Sequence, residues 1–475
     1  MEERRKHSGL CSDLVKGEIN TKTWQDLISV GENEQERIDF IKAVISEHMA
    51  SPVYRTAMVA QDYYNGTNTT ITNYNKYIRD VYGRNIPDIW SPNHKIACHY
   101  YGYLVNQLAL FLLGNGVSFS DPQTKDRLGK NFDKVAVGIL IDALNGGVAY
   151  GFANMDKVEA FSAREFAPLY DEETGHLRSG VRFWRLDDRK PLRCTLYEED
   201  GYTEYIEPIG EKMVILNPKR SYIERVNTSA ATGEISVEGM NYPTFPIVPL
   251  YNINKRSELV GNREAHDALD LMLSGLVNNV DSGEVVYWIL KNSGGFDQVS
   301  MNQFLQTMKT SHVAAVDSED DVTAHSPVVQ FQASKEAIDQ LRRQIFDNHM
   351  GLDVKGIANG AVTATQIRAA YEPLNSKADL LELKVTEFIN GILSVLGIDD
   401  EPTYTRSYIV NQTEMIQNIV SAGTELPTSY KTRKILEIMG DIDKVDEVLN
   451  EVTAEDMDRF GENQTEEPNE PTEQG

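Results

Sequence analysis

The sequence is poor in cysteine, in long apolar runs and in clustered positive charge. Its cysteines, Cys11, Cys98 and Cys194, are odd in number and widely spaced. They read as reduced thiols, not as a disulfide framework. Apolar runs stay short, residues 108–113 being typical. That is far below the ~20 residues needed to span a bilayer, so no membrane association is expected. The opening Met1-Glu-Glu-Arg-Arg-Lys-His7 has no apolar stretch, so no secretory signal is read and a cytosolic protein is expected. Positive charge is scarce: 46 Lys and Arg stand against 72 Asp and Glu, a formal net charge of −26. Proteins that grip DNA neutralise phosphates with clustered Lys and Arg. No such cluster occurs, which argues against a sequence-reading DNA binder and against an anionic-membrane binder.

What is present alternates helical and extended segments. Residues 1–30 are mixed in character and are expected to be poorly ordered. From Glu34 onward Ile38, Ile41 and Ile45 recur at helical spacing. This helix runs toward Tyr64 with a break at Ser51-Pro52, and Asn65-Gly66-Thr67 closes it with turn chemistry. A second helix is expected from Ser91-Pro92-Asn93 to Gly114, with Ile96, Tyr100, Tyr103, Leu104, Leu108 and Phe111 on one face. A third spans about 124–144 and ends at Gly146-Gly147. From Val148 to Leu250 turn signals separate short segments rich in Tyr, Phe, Val and Ile, a pattern of strands. Prolines hold 243–250 extended.

Helix returns near Glu264, with Leu269, Met272, Leu273, Leu276 and Val280 on one face. Strands are expected at 285–290 and 328–331. A helix from Ser334 to about His349 carries Ile338, Leu341 and Ile345. After a break at Gly351, Gly356 and Gly360, the capping-box pattern Thr363-Ala-Thr-Gln366 opens a long helix toward Leu396. Leu374, Ala378, Leu381, Val385, Phe388, Ile392 and Val395 mark its buried face, and Pro373 is expected to kink it. Short helices follow to about Phe460. The Glu-, Pro-, Asn- and Thr-rich residues 461–475 bury too little apolar surface to order and read as a disordered acidic tail.

Candidate chemistry is sparse. No Gly-rich loop with Lys-Ser/Thr, no Gly-x-Ser-x-Gly elbow and no His-Glu-x-x-His helix occurs. His94 and Cys98 fall four apart on the expected helix, beside His99, but a zinc site needs a second pair. Asp317-Ser-Glu-Asp-Asp321 could hold a divalent cation in a nuclease, yet such a run more often forms a solvated loop. Glu382 and Glu387, five apart, do not share a helical face. Residues 62–103 hold nine aromatics with Lys76, Arg79, Arg84 and Lys95 among them. Stacking on single-stranded nucleic acid would use such residues; core packing and a protein–protein surface fit the helical spacing of Tyr100 and Tyr103 better. The residues alone describe an acidic α+β protein with no visible catalytic, metal or cofactor site, which favours an assembly role over an enzyme.

Phrases spread over more than 300 residues carry a resemblance. They are Asp62-Tyr-Tyr-Asn-Gly66; Asn93-His-Lys-Ile96 running into Leu112-Leu-Gly-Asn-Gly-Val-Ser-Phe119; and Gly147-Val-Ala-Tyr-Gly151 with Phe166-Ala-Pro-Leu-Tyr170. Phe245-Pro-Ile-Val-Pro-Leu250 before Ser257-Glu-Leu follows, then 361–382 with Lys377. In this order they resemble the portal proteins of long-tailed phages of Gram-positive hosts. One stretch departs: where the family often has a Ser-Gly-x-Ala-Leu-Lys-like phrase, this chain reads Val362-Thr-Ala-Thr-Gln-Ile-Arg368.

The resemblance implies a portal fold and a ring, usually of twelve subunits, at one capsid vertex. It implies a channel for double-stranded DNA in packaging and ejection. On this chain the wing would be 30–255 and the stem helices 258–282 and 334–349. The clip would be 284–332, the tunnel loop 350–362 and the crown 363–460. Gly351, Lys355, Gly356, Asn359 and Gly360 would form a yielding, DNA-facing loop. Lys291, Phe296 and Lys309 would lie in the clip, where adaptors and terminase dock. Implied partners are the terminase large subunit, head-completion or adaptor proteins, scaffold and major capsid protein. The implied place is the virion, with the host cytoplasm during assembly. Two alternatives stay open: another phage head adaptor, and a metal-dependent nuclease or peptidase.

Overall fold

The computed structural model describes residues 22–79, 82–89, 91–228, 235–283, 287–291, 321–325, 331–354, 364–407 and 427–439, and singly 416, 419–421 and 448. Two compact units divide the chain: 1–353 with 373–406, and 354–372 with 407–475. Helices α1 (Trp24–Val30), α2 (Glu34–Ala50), α3 (Pro52–Tyr64) and α4 (Thr69–Thr72) precede a hairpin of β1 (Tyr77–Arg79) and β2 (Asn85–Pro87). Then come α5 (Tyr100–Leu113), β3 (Val117–Ser118), α6 (Pro122–Leu128) and α7 (Phe132–Gly146).

Ten strands follow: β4 (Val148–Asn154), β5 (Lys157–Ser162), β6 (Phe166–Tyr170), β7 (Leu177–Trp184), β8 (Leu192–Glu198), β9 (Gly201–Glu207), β10 (Val214–Arg220), β11 (Ile223–Thr228), β12 (Ile235–Met240) and β13 (Ile247–Tyr251). The C-terminal elements are α8 (Arg263–Gly283), β14 (Tyr287–Lys291), β15 (Asp321–His325), α9 (Phe331–Asn348), α10 (Ala364–Leu396), β16 (Thr403–Tyr404) and α11 (Thr428–Met439). Among the described residues every strand pairing is antiparallel, and the largest sheet has the order β10-β9-β8-β7-β6. Helices and antiparallel sheets together make the α+β class expected from the pattern.

The break at Ser51-Pro52 has a local cause. The Ser51 N–H donates to His48 O (3.0 Å), ending α2, while its hydroxyl accepts from Tyr54 N (3.2 Å), starting α3. Pro52 occupies the first turn, where a missing N–H costs nothing. The isoleucine stripe of α2 then covers the five-stranded sheet: Ile38, Ile41, Val44 and Ile45 pack on Leu169, Val181, Phe183 and Leu196. A second core is aromatic, with Tyr150, Phe152, Phe161 and Phe166 joined by Tyr197 and Tyr222. Helix α10 lies on the sheet β13-β4-β5, and all seven residues assigned to its inner face are buried. Its close approach needs glycine. A Cβ on Gly151 would stand 2.6 Å from Phe388 Cζ, and one on Gly391 2.6 Å from Val248 Cγ1.

Four expectations change. Residues 24–30 form a helix, because Thr23 and Asp26 make a complete capping box. The third helix is two, α6 and α7, parted at Gly129, whose φ of +97° an L side chain rarely adopts. The second strand after α8 is β15, and Phe331 opens α9 instead. Residues 91–98 are not helical at all, for a reason given below. Pro373 lies inside a single unbroken helix.

Gly147 ends α7 with φ +82°, and a Cβ there would come within 2.9 Å of Lys255 O. Gly147→Ala should therefore destabilise the chain by about 1–3 kcal/mol. A urea-unfolding midpoint equal to wild type would contradict this.

Candidate functional site

Helices α8 and α9, the two that the resemblance would make the stem, pack against each other. These helices pack through Leu269, Leu273, Ile338, Leu341, Ile345 and Phe346, with Leu104 of α5 closing one end. Beyond α8, β14 pairs with β15 in a hairpin that sets Lys291 opposite Asp321. Phe296 and Lys309, and Asp317 to Asp320, lie outside the described residues.

Beside apolar Leu269, a polar row of α8 is buried too. His266, Asp270, Ser274 and Asn278, each four residues apart, are buried, while Val280 is exposed. The cause is an extended strap, residues 91–98, laid antiparallel along the helix. His94 N donates to Asn278 Oδ1 (2.7 Å), Ile96 N to Ser274 Oγ (2.9 Å) and Cys98 N to Asp270 Oδ1 (2.9 Å). Alternate residues of an extended chain rise ~6.6 Å, and every fourth residue of a helix ~6 Å, so the two ladders keep step. Helix side chains thus satisfy the strap's N–H groups, and α5 begins only at Tyr100.

This arrangement disposes of the His94–Cys98 pair as a helical metal site. Burial and then the adjacent Asp270 push the Cys98 thiol up to about 12. His94 Nε2 lies 3.0 Å from Asp281 Oδ2. Among the described residues no group of three or more His, Cys, Asp or Glu is placed to hold a metal ion. Likewise, no helix among them is long and apolar enough to cross a membrane.

Where α8, α9 and α10 converge, charge is buried. Lys377 Nζ donates to Glu258 Oε2 (2.5 Å) and to His349 O (3.0 Å). Asn252 Nδ2 donates to Glu258 Oε1 (3.0 Å), and His349 Nδ1 lies 3.7 Å from Glu258 Oε2. His266 and His349 share a contact of 3.2 Å between their Nε2 atoms, under the ring of Tyr101. Burial alone would raise the Glu258 carboxyl, but His349 and the Lys377 ammonium outweigh it and hold the carboxyl at about 2. Burial, reinforced by His349, drives His266 down to about 3, and burial also lowers His349 against the pull of Glu258. For the strap ladder the sequence offered a signal, polar residues at every fourth position along α8, but the apolar period masked it.

The junction makes stability acid-sensitive. His266 binds its proton less readily folded than unfolded. Its contribution is therefore complete above about 6.5 and is lost as pH falls toward 3. Glu258 works in the same direction at lower pH, between its ordinary 4.5 and about 2. The urea midpoint should fall steadily from pH 7 to pH 4, and less steeply in His266→Gln. Equal slopes for the two proteins would contradict this.

Gly351 stands at the foot of the assigned tunnel loop, and it is held rather than free. Its N–H donates to Phe346 O (2.9 Å), and a Cβ would collide with Leu104. Gln107 then clamps the next residue, accepting from Leu352 N (2.8 Å) and donating to Leu352 O (2.9 Å). Arg342 pairs with Asp353. Glycine here permits the close approach of Leu104. Lys355, Gly356, Asn359 and Gly360 lie outside the described residues.

Comparison with known proteins bears on the same elements. The chain is 24% identical over 411 residues to the portal protein of Clostridium phage phiCD119, covering 79% of this chain and 88% of the relative. Among solved structures, it is similar to a chain in the virion of a native gene transfer agent particle, at 13% identity and a TM-score of 0.42. That match covers 70% of this chain and 87% of the other. It is also similar to a chain in the neck of the empty particle, at 12% identity and a TM-score of 0.42, covering 71% and 89%. Residues 49–462 match the family described as phage portal protein, SPP1 Gp6-like. That match, across most of its length, makes the chain a member of the SPP1 Gp6-like phage portal family.

Proposed function

We propose that copies of this chain, twelve in the virion, form the ring at one capsid vertex through which double-stranded DNA is packaged and ejected. The single observation that carries this reading is the family match over residues 49–462. In it, 30–255 act as wing, 258–282 and 334–349 as stem, 284–332 as clip, 350–362 as tunnel loop and 363–460 as crown. Paired helices repeated about an axis make a stiff collar. Lys355, the basic residue of the tunnel loop, is the candidate for touching phosphate. Lys291, Phe296 and Lys309 are candidates for contact with terminase or adaptor proteins. Scaffold and major capsid protein would surround the wing, and assembly would take place in the host cytoplasm. The role is passive: hydrolysis belongs to a separate motor, consistent with the lack of a Walker-type loop in the sequence.

The net charge of −26 suits a conduit. An acidic wall repels phosphate within a Debye length of ~8 Å and gives DNA no sticky, salt-dependent hold. Titrating assembled rings with duplex DNA at stepped salt concentrations tests this. Negligible binding at physiological ionic strength is expected; tight binding that weakens steeply with salt would contradict a low-friction channel.

A further inference from the structure

Of the aromatic, basic stretch singled out in the sequence, Tyr63 and Tyr101 are buried and Tyr100, Tyr101 and Tyr103 lie on α5, whereas Tyr74, Tyr77 and Tyr82 are exposed. Between α4 and the strap the chain projects the hairpin β1–β2, whose strands have three residues each. Around it Tyr74, Tyr77, Tyr82 and Ile89 are 47, 60, 80 and 78% exposed. Its base is latched: Lys76 Nζ donates to Pro92 O (2.5 Å), Lys95 Nζ to Thr72 O (2.5 Å) and Asp88 N to Lys76 O (2.9 Å). Its tip presents Tyr82 with the Arg84 guanidinium 5.3 Å from the ring centre.

A two-stranded hairpin this short is marginal in water by itself. Exposed apolar groups gathered in one place mark a contact surface, and Tyr and Arg are both enriched at interface centres. Charge indicates the occupant. Residues 73–96 carry Lys76, Arg79, Arg84 and Lys95 against Asp80 and Asp88, whereas the whole chain stands at −26. The segment is thus a positive arm on an acidic protein, and another copy of that protein supplies the complementary acidic surface. In a ring each subunit meets the next through two different patches, so an arm need not match itself.

We infer that the β1–β2 hairpin is an assembly arm that docks on the acidic surface of the adjacent copy of this chain. The inference rests on the ring proposed above. It is tested in the full-length purified protein by placing the photo-crosslinker benzoylphenylalanine at Tyr82, and separately by the double variant Tyr77→Ser/Tyr82→Ser. Irradiation should join copies into dimers and higher multimers. The double variant should need at least about tenfold higher concentration to form rings. Its unfolding midpoint as a monomer should match wild type, because both side chains are exposed. Crosslinks confined to the same copy, or formed only with added duplex DNA, would overturn the proposal, as would rings forming at wild-type concentrations. A wild-type chain that stays monomeric at every concentration contradicts the ring and the arm together. Rings that assemble without the tyrosines contradict the arm alone.

Discussion

Replacing Lys377 by methionine should destabilise the chain by about 3–5 kcal/mol, the cost of leaving one member of a buried ion pair alone. Lys377 and Glu258 are both largely withdrawn from water, with side-chain exposures of 10% and 12%. Lys377 also ties α10 to the end of α9 through His349 O. Without the ammonium, Glu258 keeps only Asn252 and the neighbouring His349 to replace its lost hydration. The carboxyl, now held at about 2, would rise toward and beyond the ordinary range, so the loss would be largest near neutral pH and would shrink as falling pH protonates the unpaired carboxyl. The double variant Glu258→Gln/Lys377→Met removes both charges and should recover much of the loss. Urea unfolding followed by circular dichroism measures all three proteins. A single-variant loss under about 1 kcal/mol, or a double variant no better than the single, would contradict the role given to this pair.

Asp270→Ala should cost about 2–4 kcal/mol and free the strap. Asp270 is buried, and each carboxylate oxygen has a partner: Oδ1 accepts from Cys98 N and Oδ2 from Asn68 Nδ2 (2.8 Å). Asn68 in turn caps α4 and bonds Asp267, which also accepts from the Tyr63 hydroxyl (2.5 Å). Loss of the carboxylate leaves a strap N–H and an amide N–H without acceptors, and the disturbance reaches α3 and α4. Amide hydrogen exchange gives the distinguishing readout. Protection of Ile96 and Cys98 should fall by at least about tenfold while that of β7 and β8 is unchanged. Uniform loss across both regions would point to global destabilisation and contradict a local ladder.

Much of the architecture was legible because single-segment periodicity dominated it. The α2 stripe Ile38, Ile41 and Ile45, the α10 face from Leu374 to Val395, and the change to strands at Val148 all follow from burial against one neighbour. The failures occur where a distant element overrides local signals. Ile96 shares the helical spacing of Tyr100 and Leu104, yet Asp270, Ser274 and Asn278, more than 170 residues away, draw its backbone into an extended strap. The buried charges of Glu258 and Lys377, 119 residues apart, have no local signature either. Gly351 reads as part of a yielding loop, but a glycine in close contact with Leu104 reads the same in sequence. Identity came from ordered phrases, since composition alone pointed away from DNA. Acidity and a DNA-related role are reconciled once the chain is read as a conduit rather than a grip.

The paired helices α8 and α9, the polar ladder and the buried junction fit one account: a stiff subunit that repeats about an axis. Negatively stained electron micrographs of the purified full chain test it most directly. The account predicts closed rings of about twelve copies with an axial hole wide enough for a ~20 Å duplex. Monomers or compact closed particles without a hole, under conditions where the chain is folded, would contradict it.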